Sequence, residues 1–169
     1  METEPMIKTI VAALAMALVE FAVIIIASPM AKPSLVLRFL PEDIRAAAAD
    51  HPEPPKSRQY IAHLLLAVFA AAYLGEIIWL GIDGLHSGYG FRKLWLRFLA
   101  ALYIVKAFDI IVQDQWLVMT SGFYQKLFPE TAGCEGWKNR GWNTKNQMIR
   151  IIAFPVLCLI PAGIFAFLL

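Results

Sequence analysis

The chain has 169 residues, of which 59% are hydrophobic and 17% are charged, and its mean hydropathy is +0.61. Soluble domains have about 45–50% apolar and about 25% charged residues, so this composition predicts a membrane protein. Two cysteines exclude a disulfide-rich secreted scaffold, the apolar excess excludes a disordered tail, and a net charge of +2 is too small to indicate a nucleic-acid partner.

Four stretches approach the length of about 20 apolar residues that a helix needs to cross a bilayer. They lie at about residues 7–28, 60–82, 94–119 and 148–169. The third is the least hydrophobic, because Arg97, Lys106, Asp109 and Asp114 interrupt it. We therefore expect an all-α fold with one transmembrane domain over residues 1–169, built as a four-helix membrane bundle.

The first stretch could instead be a cleaved signal peptide, but its apolar run is longer than the usual 7–15 residues or so. It also begins with Glu2 and Glu4, where a signal peptide has a basic cluster. We expect a retained helix.

The positions of Lys and Arg predict the orientation of the spans, because cytoplasmic loops carry an excess of both residues. Ten lie in or beside the two long connections: Lys32, Arg38, Arg45, Lys56, Arg58, Lys126, Lys138, Arg140, Lys145 and Arg150. Four lie toward the opposite ends of the spans: Lys8, Arg92, Lys93 and Arg97. We expect a cell-membrane protein with both long connections in the cytoplasm and both termini outside.

The first long connection contains a patterned segment at about residues 34–50, in which apolar residues are mixed with basic ones. Pro41, Glu42 and Asp43 are typical of a helix N-terminus, where proline fits and negative charge is favoured. We interpret the segment as a short helix on the membrane surface. A docking surface for a partner is the alternative.

The second long connection, at about residues 120–147, sets aromatic side chains among Gly, Asn and Lys. Trp137 and Trp142, with Trp116 just before them, are typical of an interfacial aromatic belt at headgroup depth. The alternative is a structured loop that caps a cavity between the helices, since its glycines permit tight turns.

Ionisable residues inside the spans are the most informative part of the sequence. A charge at the bilayer centre costs about 2.5–3.5 kcal/mol or more, so such residues face the bundle interior and find partners. Four residues belong to this class: Glu20, Glu76, Lys106 and Asp109. Three acids and one base do not neutralise one another, so the group could bind protons, a cation or a small polar solute. The structural alternative is that these charges only specify how the helices pair.

Helical spacing at about 100° per residue places Lys106, Asp109, Gln113 and Trp116 on one stripe of the third span. Glu20 lies at nearly the same depth on its own helix, which makes Lys106 the expected centre of the polar site.

Asp114 is assigned to a different layer, near the cytoplasmic end of the third span. Arg150 occupies the matching depth at the start of the fourth span. We predict a structural ion pair between them that ties together the two ends of the aromatic loop.

No phosphate-binding Gly-rich loop, paired-Cys metal motif or H-E-x-x-H motif occurs in the sequence. The histidines are scattered, with no second His at ligand spacing: His51, His63 and His86. We expect no metal, haem or other cofactor, and no catalytic residues are assigned. Cys134 and Cys158 are expected to be separate thiols.

Several short motifs resemble those of a group of small, uncharacterised bacterial four-helix membrane proteins. They are the paired acids Asp109 and Asp114 with a nearby tryptophan, PETAG at residues 129–133, GW at 141–142 and LPEDI at 40–44. The chain differs in one respect, because Gln115 separates Asp114 from Trp116. The resemblance covers about half of the chain, and it implies the architecture and a bacterial inner membrane but no activity.

Three functions are compatible with these patterns. The leading one is a small transporter or channel-like protein, or a subunit of one, whose polar site is the group of buried charges. The second is an intramembrane enzyme that modifies lipids, with the acids as catalysts and the aromatic loop against the headgroups. The third is an accessory subunit of a membrane complex. Besides bilayer lipid, the expected partner is a second copy of the chain or a membrane complex. Ala67, Ala71 and Gly75 form a small-residue stripe, for which we expect packing within the chain, with dimerisation as the alternative.

Overall fold

The computed structural model describes residues 3–167, and every regular element in that range is helical. In chain order the helices are α1 (Thr3–Ala27), α2 (Pro33–Leu37), α3 (Glu42–Ala47), α4 (Lys56–His86), α5 (Phe91–Phe108), α6 (Phe123–Leu127), α7 (Thr144–Leu157) and α8 (Leu159–Phe167). A π-helix, Asp109–Val118, continues α5 without a break, and two 3₁₀ turns, Pro129–Thr131 and Glu135–Lys138, follow α6. The all-α class expected from the sequence is confirmed.

Three helical segments are long and apolar enough to cross a membrane: Glu4–Ala27, Lys56–His86 and Thr144–Phe167. The last of these combines α7 and α8. The fourth stretch expected from the sequence corresponds to α5 and the π-helix, whose charged residues keep it outside this class. The final two residues of the predicted fourth span, 168 and 169, lie outside the described residues.

Helix α5 contacts α1, α4, α7 and α8. Its buried face carries Leu94, Phe98, Ala101 and Val105, which recur at the spacing of one side of an α-helix. Ala13 is fully buried in the same cluster and, being small, lets the backbones approach closely. The most polar of the long helices therefore lies at the centre of the packing.

The last helical segment is interrupted at Cys158, between α7 and α8, with Pro155 and Pro161 on either side. Proline has no amide hydrogen, so Pro155 cannot donate to the carbonyl of Ile151 one turn earlier. The hydroxyl of Tyr103 on α5 donates to that carbonyl instead, at 3.2 Å. Helix α5 thus compensates for the irregularity of its neighbour.

The two long connections pack against each other at one end of the long helices, and we call this unit the cap (residues 28–55 and 119–143). Helix α3 contacts both 3₁₀ turns. Leu40 and Ile44 from the first connection share a hydrophobic core with Phe128 and Trp137 from the second. The side chains of His51 and Glu130 also meet, at 2.7 Å between Nδ1 and Oε1.

Within the range 3–167, the stripe of small residues on α4 is not used for packing, so the expected packing of this stripe within the chain is not found. Ala67, Ala71 and Gly75 are all exposed, and a Cβ added to Gly75 would meet no described atom within 4 Å.

Candidate functional site

The π-helix changes which residues share a face. In an α-helix, residues five apart point about 140° away from each other. A π-helix bonds each residue to the fifth one along and has a wider turn, so residues at this spacing lie on the same side of the helix. Asp109 and Asp114 are the pair affected, and both carboxylates face the start of α7.

One buried amide lies between these two carboxylates. The side chain of Gln147 on α7 is 5% exposed, and its Nε2 is 2.5 Å from Asp114 Oδ2 and 3.5 Å from Asp109 Oδ2. Asn143, at the N-terminus of α7, donates a second amide hydrogen bond to Asp114 Oδ2 at 3.0 Å. The start of α7 therefore holds both acids of the π-helix.

Lys106 forms an ion pair with Asp109, one turn along the same helix. The exposed fraction is 8% for the lysine side chain and 19% for the aspartate side chain. Burial of one such charge alone would be costly, because nothing would replace its interaction with water. Here Lys106 and Asp109 are each other's partners. This part of the predicted site is assembled as the spacing indicated.

Glu20 on α1 completes the group from the opposite side. It lies close enough to interact electrostatically with Asp109 and Lys106, and its side chain faces that of Gln113. The Gln113 amide is 5% exposed, yet its Nε2 does not reach hydrogen-bond geometry with any residue in the range 3–167. We call this group the acid–lysine cluster: Glu20, Lys106, Asp109, Gln113, Asp114 and Gln147.

The cluster holds three carboxyl groups and one ammonium group, so it carries excess acid. It also contains two unsatisfied polar atoms, Gln113 Nε2 and Gln147 Oε1. A buried polar atom without a hydrogen bond is unfavourable, so the cluster has unused capacity for a proton, a water molecule or a polar ligand. In the part of the chain that the structure describes, no three His, Cys, Asp or Glu side chains are grouped so that they could hold a metal ion.

Glu76 does not belong to the cluster, although the sequence analysis placed it there. It lines a crevice between α4, α5 and the break between α7 and α8, and the cavity volume is about 320 Å³. Its Oε1 is buried and has no hydrogen-bond partner among residues 3–167. Tyr73, one turn earlier on α4, interacts electrostatically with both Glu76 and Glu20, so it lies between the crevice and the cluster.

The predicted ion pair between Asp114 and Arg150 is not formed. Arg150 is exposed and makes no ion pair within the described range, whereas the amides of Asn143 and Gln147 occupy the Asp114 carboxylate. The prediction used depth along an α-helix and assigned Asp114 to a separate layer. The π-helix instead places Asp114 beside Asp109.

The three tryptophans have different environments. Trp116 is 51% exposed and lies next to the ring of Phe21, with centroids 6.1 Å apart, so it is not on the polar stripe. Trp137 is 7% exposed, and its Nε1 donates to the carbonyl of Thr131 at 2.8 Å. Trp142 lines a cavity of about 550 Å³ between the two connections. Trp137 thus packs inside the cap, whereas the position of any of the three at headgroup depth stays a prediction.

A second buried charge lies at the other end of the helices, and the sequence analysis did not identify it as a site. Arg97 is 4% exposed and forms an ion pair with Asp83 at 2.6 Å. Its Nε donates to Thr9 Oγ1 at 2.8 Å and its Nη1 to the carbonyl of Leu80 at 3.0 Å. Each of the three guanidinium nitrogens has an acceptor within the chain, which indicates a structural link between α1, α4 and α5.

Comparison with protein-family models, curated proteins and solved structures finds no match to this chain. The resemblance of the third span and the following loop to small bacterial membrane proteins therefore stays a prediction, and function has to be argued from the site.

Proposed function

We propose that this chain is a small four-helix membrane protein that moves protons across the bilayer, as a transporter or channel-like protein or as a subunit of one. The acid–lysine cluster is the proposed site. The main support for the proposal is the charge imbalance of the cluster. Three carboxyl groups accompany a single lysine between the helices, and two side-chain amide atoms beside them lack hydrogen-bond partners among the described residues. Charge in excess of what helix pairing requires is typical of proton and ion pathways.

The positions of the polar groups support a route along the helices. From the cap inward they run from Asp114 through Asp109 and Lys106 to Glu20, and Tyr73 links Glu20 to Glu76. Carboxyl and phenol groups can each accept and release a proton. In the proposed orientation the cap is cytoplasmic, since most Lys and Arg residues lie in the two connections that form it.

The same charges have a structural interpretation, because Lys106 neutralises Asp109 within one helix and Gln147 of α7 bonds that carboxylate, which would fix how this helix meets α7. That interpretation explains only one of the three acids, Asp109. It leaves Glu20 and Asp114 without a cationic partner of their own, which favours the transport proposal.

The test is proton flux into liposomes that contain the purified protein and a trapped pH-sensitive dye, driven by a potassium gradient with valinomycin. We expect wild-type protein to conduct protons and Asp109→Asn and Glu20→Gln to reduce the flux about tenfold or more, which is at least about 1.4 kcal/mol in the barrier. Glu42→Gln is the matched control, because Glu42 is an exposed acid on α3. Wild-type flux equal to that of empty liposomes, or full flux in both variants, would overturn the proposal. Flux of sodium in place of protons would contradict the choice of ion.

A further inference from the structure

The crevice that contains Glu76 is a cavity of the size used for small ligands, with a volume of about 320 Å³. Its walls come from α4, α5, α7 and α8 and are almost entirely apolar. They include Leu80 and Phe98 in the interior, whereas Leu157 and Ile160 at the rim are 51% and 63% exposed. The crevice therefore opens on the outer surface of the helices, which in a bilayer faces the acyl chains.

Two acceptor groups in this apolar crevice lack a donor. The first is Glu76, whose Oε1 is buried without a hydrogen bond to any described residue. The second is the carbonyl of Leu157, a residue of the wall, which lacks its usual helical donor because the residue four positions later is Pro161, with no amide hydrogen. No basic side chain lines the crevice. The crevice thus offers a carboxyl group and a carbonyl acceptor, and none of the described residues that line it supplies a cation.

We propose that the crevice binds a lipophilic amine that enters from the membrane. The protonated amine would donate to Glu76, and the apolar body would fill the space between Leu80, Phe98 and Ala101. Tyr73 also lines the crevice and offers an aromatic face to the cation. An ammonium group would give the buried carboxyl group the cationic partner that it lacks, and apolar walls favour a ligand with an apolar body.

The crevice shares Tyr73 and Glu76 with the far end of the proposed proton route, but amine binding requires no proton flux, so the inference does not rest on proton transport. The lysine of the cluster pairs with Asp109 and does not reach Glu76. Amine affinity at Glu76 and proton flux through Asp109 and Glu20 are measured separately, so either one can fail while the other stands.

The experiment is a calorimetric titration of the full chain in lipid nanodiscs, with empty nanodiscs as the blank. The probes are 4-phenylbutylamine, which is cationic at neutral pH, and 4-phenylbutanol, which has the same apolar body and no charge. We expect wild-type protein to bind the amine about tenfold or more tightly than the alcohol, and Glu76→Gln to remove most of this difference. Glu42→Gln, the exposed matched acid, should bind both probes as wild type does.

A second variant keeps the inference testable if Glu76→Gln misfolds. Ala101 lines the crevice and is 8% exposed, so Ala101→Leu places three further carbons in the cavity. This variant should bind the amine and the alcohol more weakly, by similar factors. Equal affinity for the amine in wild type and a folded Glu76→Gln variant would overturn the inference. Equal affinity of the wild type for amine and alcohol would also overturn it, because the crevice would then be only a groove for apolar chains.

Discussion

The carboxylate of Asp43 on α3 accepts a hydrogen bond from the backbone N–H of Gly136, across 93 positions of sequence, at 2.7 Å. Its other oxygen accepts from the N–H of Ile44 at 2.9 Å. One acid therefore caps the first turn of its own helix and also holds the aromatic loop against it. This contact joins the two long connections into the cap.

Gly136→Ala is expected to separate the two connections. A Cβ at this position would lie 2.8 Å from the Cβ of Pro41 and would also overlap the carboxylate of Asp43. The loss of a hydrogen bond to a charged group predicts a decrease of about 1.5–3 kcal/mol in the free energy of unfolding. Thermal unfolding in detergent measures this loss, and hydrogen exchange should show faster exchange in residues 129–138.

Gly133→Ala is the control for this prediction, since a Cβ at Gly133 would meet no atom within 4 Å. Its effect should stay within about 0.5 kcal/mol. Similar losses in the two variants would show that the loop tolerates no added side chain in general, and the specific role of the Asp43 contact would be contradicted.

The three long apolar helical segments were predictable, because a run of about 20 apolar residues is the pattern of a membrane-length helix. The pairing of Lys106 with Asp109 was equally accessible, because it depends only on spacing within one helix. Gln147 was not identified, although it links both acids. Nothing in a single sequence indicates which polar residue of one helix will meet a given acid of another.

The π-helix is the main reason that the predicted site was incomplete. Its wider turn depends on packing against neighbouring helices and has no simple sequence signature, so α-helical spacing was applied through residue 118. With α-helical spacing, Asp114 was predicted to point away from Asp109, and Trp116 was predicted to lie on the polar stripe. The packing of the two connections against each other was missed for a similar reason, because the contact between Asp43 and Gly136 is long-range and uses a backbone donor.

Arg97→Met should destabilise the fold at the end opposite the cap. Removal of one partner of a buried ion pair leaves the other charge uncompensated, and Arg97 also bonds Thr9 and the Leu80 carbonyl. Asp83 keeps a second cationic partner, Lys8, 3.3 Å away. We therefore expect the free energy of unfolding to fall by about 3 kcal/mol. Denaturation by SDS titration measures the change. Arg92→Met, an exposed arginine on the same helix, should have little effect, and a comparable loss there would contradict the assignment.

Tyr124→Phe tests the contact between the cap and the end of α1. Ser28 Oγ donates to the carbonyl of Ile24 at 2.7 Å, so the Tyr124 hydroxyl is left to donate to Ser28 Oγ, 3.3 Å away. Loss of this hydrogen bond should cost about 1 kcal/mol at neutral pH. Tyr60→Phe removes the hydroxyl of a tyrosine that is 75% exposed and should cost almost nothing.

The same tyrosine predicts a dependence on alkaline pH. Burial raises the pKa of Tyr124 above its ordinary value of 10.0, while the hydrogen bond with Ser28 opposes this shift. Its contribution to stability is complete below pH 10 and is lost as the pH rises through the higher pKa of the folded state, because the unfolded chain loses the proton first. The difference in stability between wild type and Tyr124→Phe should therefore shrink above pH 10. A difference that is constant from pH 8 to pH 12 would contradict the raised pKa.

The double variant Lys106→Met with Asp109→Leu separates a structural role of the buried pair from a functional one. Either substitution alone leaves one buried charge without its partner, so each should reduce the free energy of unfolding by about 3–5 kcal/mol. Replacement of both charges by apolar side chains removes the uncompensated charge, and we expect the double variant to recover most of that stability. Proton flux in liposomes should nevertheless be abolished, because Glu20 and Asp114 would lose the two groups that lie between them. A double variant that is stable and still conducts protons would show that the pair has only a structural role.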